Sequence, residues 1–186
     1  MKIPENKTLQ ELFEWRFSRT PDSVAHKFLD RETTYKELNN YSNQVANGLI
    51  ELGCKPDTRI AYYGKNSDFF FEVLIGTLKS NTVTVGVNWR LAPPEVSYVL
   101  NDSESEVLFV GADFYPVIDQ ILEDLPKIKK VIAIDGDHEN YQDYISWRNS
   151  QNSANPEIKS SPKDDILQLY TSGTTGHPKG VQLTNE

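Results

Sequence analysis

The chain has 186 residues, 38 % hydrophobic and 25 % charged, with eight Phe, nine Tyr and three Trp. That composition suits a packed globular core and excludes a disordered chain. Nineteen basic against 27 acidic residues leave a net charge of −8, which excludes a general nucleic-acid binder and a polybasic membrane anchor, so any bound phosphate must be held by a local site.

Thr8-Leu9-Gln10-Glu11 has the Ser/Thr-x-x-Glu form of a capping box, in which side chains and backbone N–H groups satisfy each other at a helix start. Leu9, Leu12, Phe13 and Phe17 follow at helical spacing, and Pro21 marks the end. Val24 to Leu29 reads as a strand that turns at Asp30-Arg31-Glu32 into Thr33 and Thr34. Thr34-Tyr35-Lys36-Glu37 is a second capping box, opening a helix with Leu38, Val45, Leu49 and Leu52 inward and Gly53 at its close. Thr58 to Tyr63 reads as a strand, and Asn66-Ser67-Asp68 caps a helix carrying Phe71, Leu74, Ile75 and Leu78. Thr82 to Val87 is β-branched and strand-like. Pro93-Pro94-Glu95 starts a helix through Leu100, because a first turn tolerates Pro. Val107 to Val110 and Val131 to Ile134 are apolar strands, with a helix over Phe114 to Leu125 between them. Tyr141 to Trp147 predicts a short helix, Ser150 to Lys163 a polar surface connection, and Ile166 to Tyr170 a further strand.

Strands alternating with helices predict an α/β fold with a mainly parallel sheet flanked by helices. The continuous apolar runs at 107–110 and 131–134 suit strands covered on both faces. The polar stretch at about 150–163 divides the chain into an α/β subdomain, residues 1–163, and a strand–loop–strand, residues 164–186, read as the truncated start of a next part. No uncharged stretch exceeds 13 residues, the length of Ile166 to Pro178, which is too short for a membrane span of about 20 residues. Met1 to Asn6 has no apolar run, so no signal peptide is expected. Cys54 is the only cysteine, which fits a reducing cytoplasm. His26, His138 and His177 match no metal-ligand spacing, and no metal ligand is assigned.

Tyr170-Thr171-Ser172-Gly173-Thr174-Thr175-Gly176-His177-Pro178-Lys179-Gly180-Val181 is the segment that carries chemistry. Its glycines let backbone approach a ligand closely, successive N–H groups can form an anion-binding concavity, and Ser/Thr hydroxyls donate to phosphate oxygens. Lys179 adds a point charge. A Walker A loop needs Lys followed by Ser or Thr and then a helix. Here Gly180 follows Lys179, and Val181-Gln182-Leu183 alternates like a strand. The plain alternative is a flexible Ser/Gly connection.

The same segment resembles the phosphate-binding signature of the adenylate-forming enzymes: acyl-CoA synthetases, luciferases and peptide-synthetase adenylation domains. Thr34-Tyr35-Lys36-Glu37-Leu38 and Gly53 through Ile60 resemble that family's N-terminal helix and the strand after it. Asn88-Trp89-Arg90-Leu91-Ala92-Pro93-Pro94-Glu95 resembles a segment of fatty-acyl-CoA synthetases. The likeness runs from about residue 8 to the end. It implies the N-terminal part of the large domain of such an enzyme. It also implies activation of a carboxylic acid, of the fatty class, by ATP with Mg²⁺, then transfer of the acyl group to coenzyme A. Thr171, Ser172, Gly173, Thr174, Thr175 and Gly176 would hold the β- and γ-phosphates, and Lys179 would be the catalytic cation that neutralises leaving pyrophosphate.

The family's Tyr-Gly-x-Thr-Glu, ribose-binding Asp, hinge and C-terminal catalytic lysine do not follow within the chain. The chain is therefore expected to be about a third of a member, without a C-terminal domain and inactive alone. Its partners would be the acid, ATP and CoA, with no nucleic acid; peripheral membrane contact and oligomeric state stay open. The competing reading is a non-catalytic short paralogue that binds nucleotide or docks to a partner. A generic mononucleotide binder would place its site at the strand C-terminal ends, but Gly-x-Gly-x-x-Gly is absent.

Other tempting residues have plainer readings. Asp135-Gly136-Asp137-His138 reads as a polar turn rather than a metal cluster. Asp164-Asp165 reads as the solvated start of a strand, since neighbours there face opposite ways. Phe69-Phe70-Phe71 divides between core and surface, Trp89 and Arg90 read as packing rather than a substrate channel, and Cys54 is a poor nucleophile.

Overall fold

A computed structural model describes residues 8–171 and 178–185. In chain order the elements are α1 (Leu9–Arg19), β1 (Val24–Phe28), β2 (Arg31–Thr34), α2 (Tyr35–Glu51), β3 (Arg59–Tyr63), α3 (Asp68–Ser80), β4 (Val83–Val87) and α4 (Pro93–Asp102). Then come β5 (Val107–Gly111), α5 (Tyr115–Ile121), β6 (Lys130–Ile134), β7 (Gln142–Asp143), α6 (Tyr144–Asn149), β8 (Asp165–Thr171) and β9 (Lys179–Thr184).

Both expected capping boxes form. Thr8 Oγ1 accepts from the Glu11 N–H at 3.2 Å while the Glu11 carboxylate accepts from the Thr8 N–H at 3.1 Å. Thr34 and Glu37 repeat the exchange at 3.2 and 2.8 Å. Gly53 closes α2 with φ +82°, and the N–H groups of Gly53 and Cys54 donate to Ile50 and Leu49. This is the left-handed end in which two otherwise free helix carbonyls are satisfied. At α3 the sequence reading is only half met. Ser67 is the N-cap, but its hydroxyl pairs with Tyr62 at 3.1 Å and makes no side-chain cap.

Two elements differ from expectation. The helix expected over Phe114 to Leu125 is α5 flanked by 3₁₀ turns at Ala112–Phe114 and Leu122–Asp124. Pro116 has no N–H and fits only a first turn, and Pro126 disfavours helical backbone at Leu125, so the α-helix is confined between them. In the segment read as one helix over Tyr141 to Trp147, Gln142 and Asp143 first pair with β6, and helix begins at Tyr144. The Asp143 carboxylate accepts from the Ser146 N–H at 2.8 Å and caps that helix.

The main sheet has seven strands in the order β7-β6-β5-β3-β4-β8-β9, and β1 and β2 form a separate antiparallel hairpin. Every neighbouring pair in the main sheet is parallel except β8–β9. Period-two alternation sends successive residues to opposite faces. Ile60, Tyr62, Val107, Phe109, Ile132 and Ile134 pack with α2, α3 and α6 residues such as Val45, Val73 and Trp147. Ala61, Tyr63, Leu108, Val110, Val131 and Ala133 pack with α4 and α5 residues such as Val99 and Ile118. Covered faces on both sides explain why these strands read as continuous apolar runs.

α2 and α3 approach so closely that a Cβ on Gly76 would lie 2.4 Å from Val45 Cγ1. On that face Glu72 is buried with Arg148, whose Nη1 lies 2.6 Å from its carboxylate, and Tyr144 donates to the same oxygen at 2.7 Å. The polar connection after α6 is pinned to the body. Asn43 and Asn47 of α2 donate to the carbonyls of Ser153 and Asn152 at 2.8 and 2.7 Å.

Candidate functional site

β3, β4, β5, β6 and β8 run parallel, so their carboxyl ends share one edge of the sheet. The strand order reverses between β3 and β5, since the chain goes from β3 to β4 on one side and returns to β5 on the other. In open α/β sheets ligand crevices form outside such a switch point. Here a cavity of about 290 Å³ opens there, lined by Gly64, Lys65, Ser67, Gly111, Asp113 and Asp135 among others. Lys65 and Asp113 meet across it at 2.7 Å.

The sequence-predicted site lies two strands along, at the end of β8. In the antiparallel ladder Thr171 stands opposite Lys179, and Tyr170 opposite Gly180. The two ends of the hydroxyl-rich segment are thereby brought together at the carboxyl edge, with Thr171 and Lys179 both exposed. Ser172, Gly173, Thr174, Thr175 and Gly176 lie outside the described residues.

The stems of this hairpin are held from α4. Tyr170 donates to Asp102 Oδ2 at 2.7 Å, and Gln168 Nε2 donates to the Tyr170 hydroxyl at 3.0 Å. Burial, then the neighbouring Asp102 carboxylate, holds the Tyr170 phenol above its ordinary range. Tyr98 donates to the Pro178 carbonyl at 3.2 Å. Gln168 is reached in turn by Arg59 Nε at 3.2 Å. Sequence reasoning missed these partners. Tyr98 and Asp102 are one helical turn apart on α4, but nothing local signals that they meet strands some 70 residues away.

The plainer readings can be followed individually. Asp135 has φ +61° in the turn after β6, and His138 stacks on Tyr141 at 3.8 Å between ring centroids. Asp164 accepts from Asn81 at 3.1 Å, and Asp165 lies 3.4 Å from Arg59. Phe69 is buried while Phe71 is half-exposed. Trp89 packs on Phe114, with the Arg90 guanidinium 4.1 Å above the indole. Burial pushes the Cys54 thiol up to about 11, away from a thiolate nucleophile. Among the described residues no group of three or more His, Cys, Asp or Glu is placed to hold a metal ion. Among them, too, no helix is long and apolar enough to cross a membrane.

A mainly parallel sheet flanked by helices, with the antiparallel pair β8–β9 at one side, has the architecture of the N-terminal domain of adenylate-forming enzymes. Residues 13–186 match the AMP-binding enzyme family, and the chain belongs to that family. It is 36 % identical over 183 residues to a fatty acid–acyl-carrier-protein ligase of Streptomyces coeruleorubidus, covering 98 % of this chain and 34 % of the relative. It is 37 % identical over 158 residues to a long-chain-fatty-acid–CoA ligase of Mycobacterium tuberculosis, covering 84 % of this chain and 30 % of the relative. Among solved structures, an anthranilate CoA ligase in complex with anthranoyl-AMP superposes with a TM-score of 0.92 at 30 % identity, covering 100 % of this chain and 36 % of that one. The chain thus spans about a third of the length of the curated relatives it matches.

Proposed function

We propose that the chain supplies the N-terminal, phosphate-binding part of an ATP-dependent acid–thiol ligase acting on a carboxylic acid of the fatty class. The observation that carries this reading is the register that sets Thr171 opposite Lys179 at the sheet's carboxyl edge, these being the residues that flank a Ser/Thr/Gly-rich stretch of sequence. In the first half-reaction a carboxylate oxygen attacks the α-phosphorus of ATP. The bond to the bridging oxygen breaks, giving acyl-adenylate and pyrophosphate. Negative charge grows on the departing β- and γ-phosphates, where fixed donors stabilise the transition state more than the ground state. The hydroxyls of Thr171, Ser172, Thr174 and Thr175 and the backbone N–H groups at Gly173 and Gly176 are assigned that role. Lys179 Nζ meets the pyrophosphate charge.

Mg²⁺ would arrive with the ATP phosphates it neutralises. In the second half-reaction the coenzyme A thiol displaces AMP to give the thioester. The net −8 charge repels anions, so capture of ATP rests on these local donors. A cytoplasmic setting fits a lone, half-buried thiol. The acyl pocket and the groups for adenine, ribose and CoA are assigned to the two-thirds of the family length outside residues 1–186, and the 186-residue piece alone is expected to be inactive.

The test is acid-dependent ATP–pyrophosphate exchange. A reading frame continuing for several hundred codons should give exchange with fatty acids, and the 186-residue piece none. Thr174→Ala or Lys179→Ala in the longer protein should lower adenylate formation, by about 10²-fold where a transition-state donor is lost. Unchanged rates in both variants would remove the phosphate role. A stop codon directly after Glu186 would favour the non-catalytic module instead.

A further inference from the structure

The two residues assigned to phosphate that the structure describes, Thr171 and Lys179, each follow a residue tied to α4. Tyr170 precedes Thr171, and its hydroxyl donates to Asp102 Oδ2 at 2.7 Å. Pro178 precedes Lys179, and its carbonyl accepts from the Tyr98 hydroxyl at 3.2 Å. Asp102 Oδ1 also lies 3.4 Å from the Tyr98 hydroxyl, as a longer, second acceptor for the same proton.

The chemistry of Pro178 gives the second bond its point. Proline has no N–H and a fixed φ, so the antiparallel ladder, whose last pair is Thr171 with Lys179, cannot be extended through it as a donor. Fixing its carbonyl from outside fixes the direction in which Lys179 begins β9. α4 is a firm anchor for this purpose, because Val96, Val99 and Leu100 are at most 1 % exposed beneath it. Alternation turns Thr171 to the face opposite Tyr170, away from α4 and free for a ligand.

We propose that Tyr98, Asp102 and Tyr170 are positioning residues for the phosphate loop: from α4 they clamp both stems and set the spacing of Thr171 and Lys179. This rests on the phosphate reading of the loop. No contact with the nucleotide is assigned to any of the three. They act by holding donors at a geometry that would otherwise have to be ordered at the moment of binding, which costs affinity.

The experiment is calorimetric titration of MgATP into the full-length protein, alongside thermal denaturation. Tyr98→Phe and Tyr170→Phe each remove one hydroxyl and keep the ring. They should weaken MgATP by about fivefold to tenfold, the range expected when one hydrogen bond is lost. Asp102→Ala should weaken it further, whereas Asp102→Asn, which keeps one oxygen to accept from Tyr170, should stay within about twofold of the parent protein. Melting temperatures of the two Phe variants should stay at the parent value. Weakening of MgATP only in step with a fall in melting temperature, or no rescue by Asp102→Asn relative to Asp102→Ala, would show a merely structural contact and overturn the proposal. Thr174→Ala and Lys179→Ala separate the two ideas. If they weaken MgATP while the α4 and Tyr170 variants do not, the positioning role alone fails. If they leave MgATP unmoved, the phosphate reading fails and the positioning role with it.

Discussion

β5 and β9 are strands of one sheet with opposite surroundings. In β5, Val107, Leu108, Phe109 and Val110 are all at most 1 % exposed, because helices cover both faces. In β9 all six residues are exposed, and Val181 and Leu183 keep 43 % of their surface. β9 is also the outer strand, so one row of its N–H and C=O groups faces no neighbour in the sheet. The opposite edge is closed by β7, only two residues long. The centre of the sheet is thus built for stability, and the β8–β9 end carries the candidate chemistry with little packing of its own. Sites that must admit a ligand are drawn from such thinly packed regions.

The comparison would break if mutations at the two ends cost the same. The largest effect is expected for Phe109→Ala, which empties a ring packed against Tyr144 and Trp147. It should lower unfolding free energy by about 3–5 kcal/mol in urea titration. Gly76→Ala comes next, at about 1–3 kcal/mol by the same measurement, since its methyl would collide with Val45 where α2 meets α3.

A smaller effect reads the dryness of that same interior. Lys79 is 1 % exposed and, among the described residues, donates to the neutral groups of Asn39 and Asn43, over the ring of Phe17. Burial pushes its ammonium down to about 7, partly offset by Glu14 of α1. The unfolded chain holds that proton to about pH 10.4. Between these values the unfolded state binds more protons, so stability rises with pH. The gain should be about 1 kcal/mol from about pH 7 to 8, short of the midpoint near pH 8.5 at which the unfolded chain's Cys54 ionises. Lys79→Met should flatten that slope. The smallest effect is expected at the edge, where Leu183→Ser should change stability by no more than about 0.5 kcal/mol. A cost near that of Phe109→Ala would make β9 part of the core.

Local chemistry was legible wherever it is self-contained. The capping boxes at Thr8 and Thr34 and the left-handed end at Gly53 involve residues within one turn of each other, and the structure has all three. The interruption around α5 was legible in principle from Pro116 and Pro126 but yielded to the stronger apolar spacing. The site divided in the same way. The hydroxyl-rich segment after Tyr170 was visible as composition, but its bracing by Tyr98 and Asp102 was not, because those contacts join residues 80 and 68 apart.

By itself the sequence determined the class: an α/β chain, the capped starts of its first two helices, its two-sided strands and a resemblance strong enough to imply adenylate chemistry. Helix period, caps and strand alternation are set by neighbours in the chain, so they survive reading one residue at a time. Only the tertiary structure decided that β8 crosses back to pair with β4, that the reversal between β3 and β5 opens a cavity, and that α4 holds both stems of the loop. Those outcomes depend on which buried faces find each other across long stretches of chain, a global packing problem that no local pattern encodes.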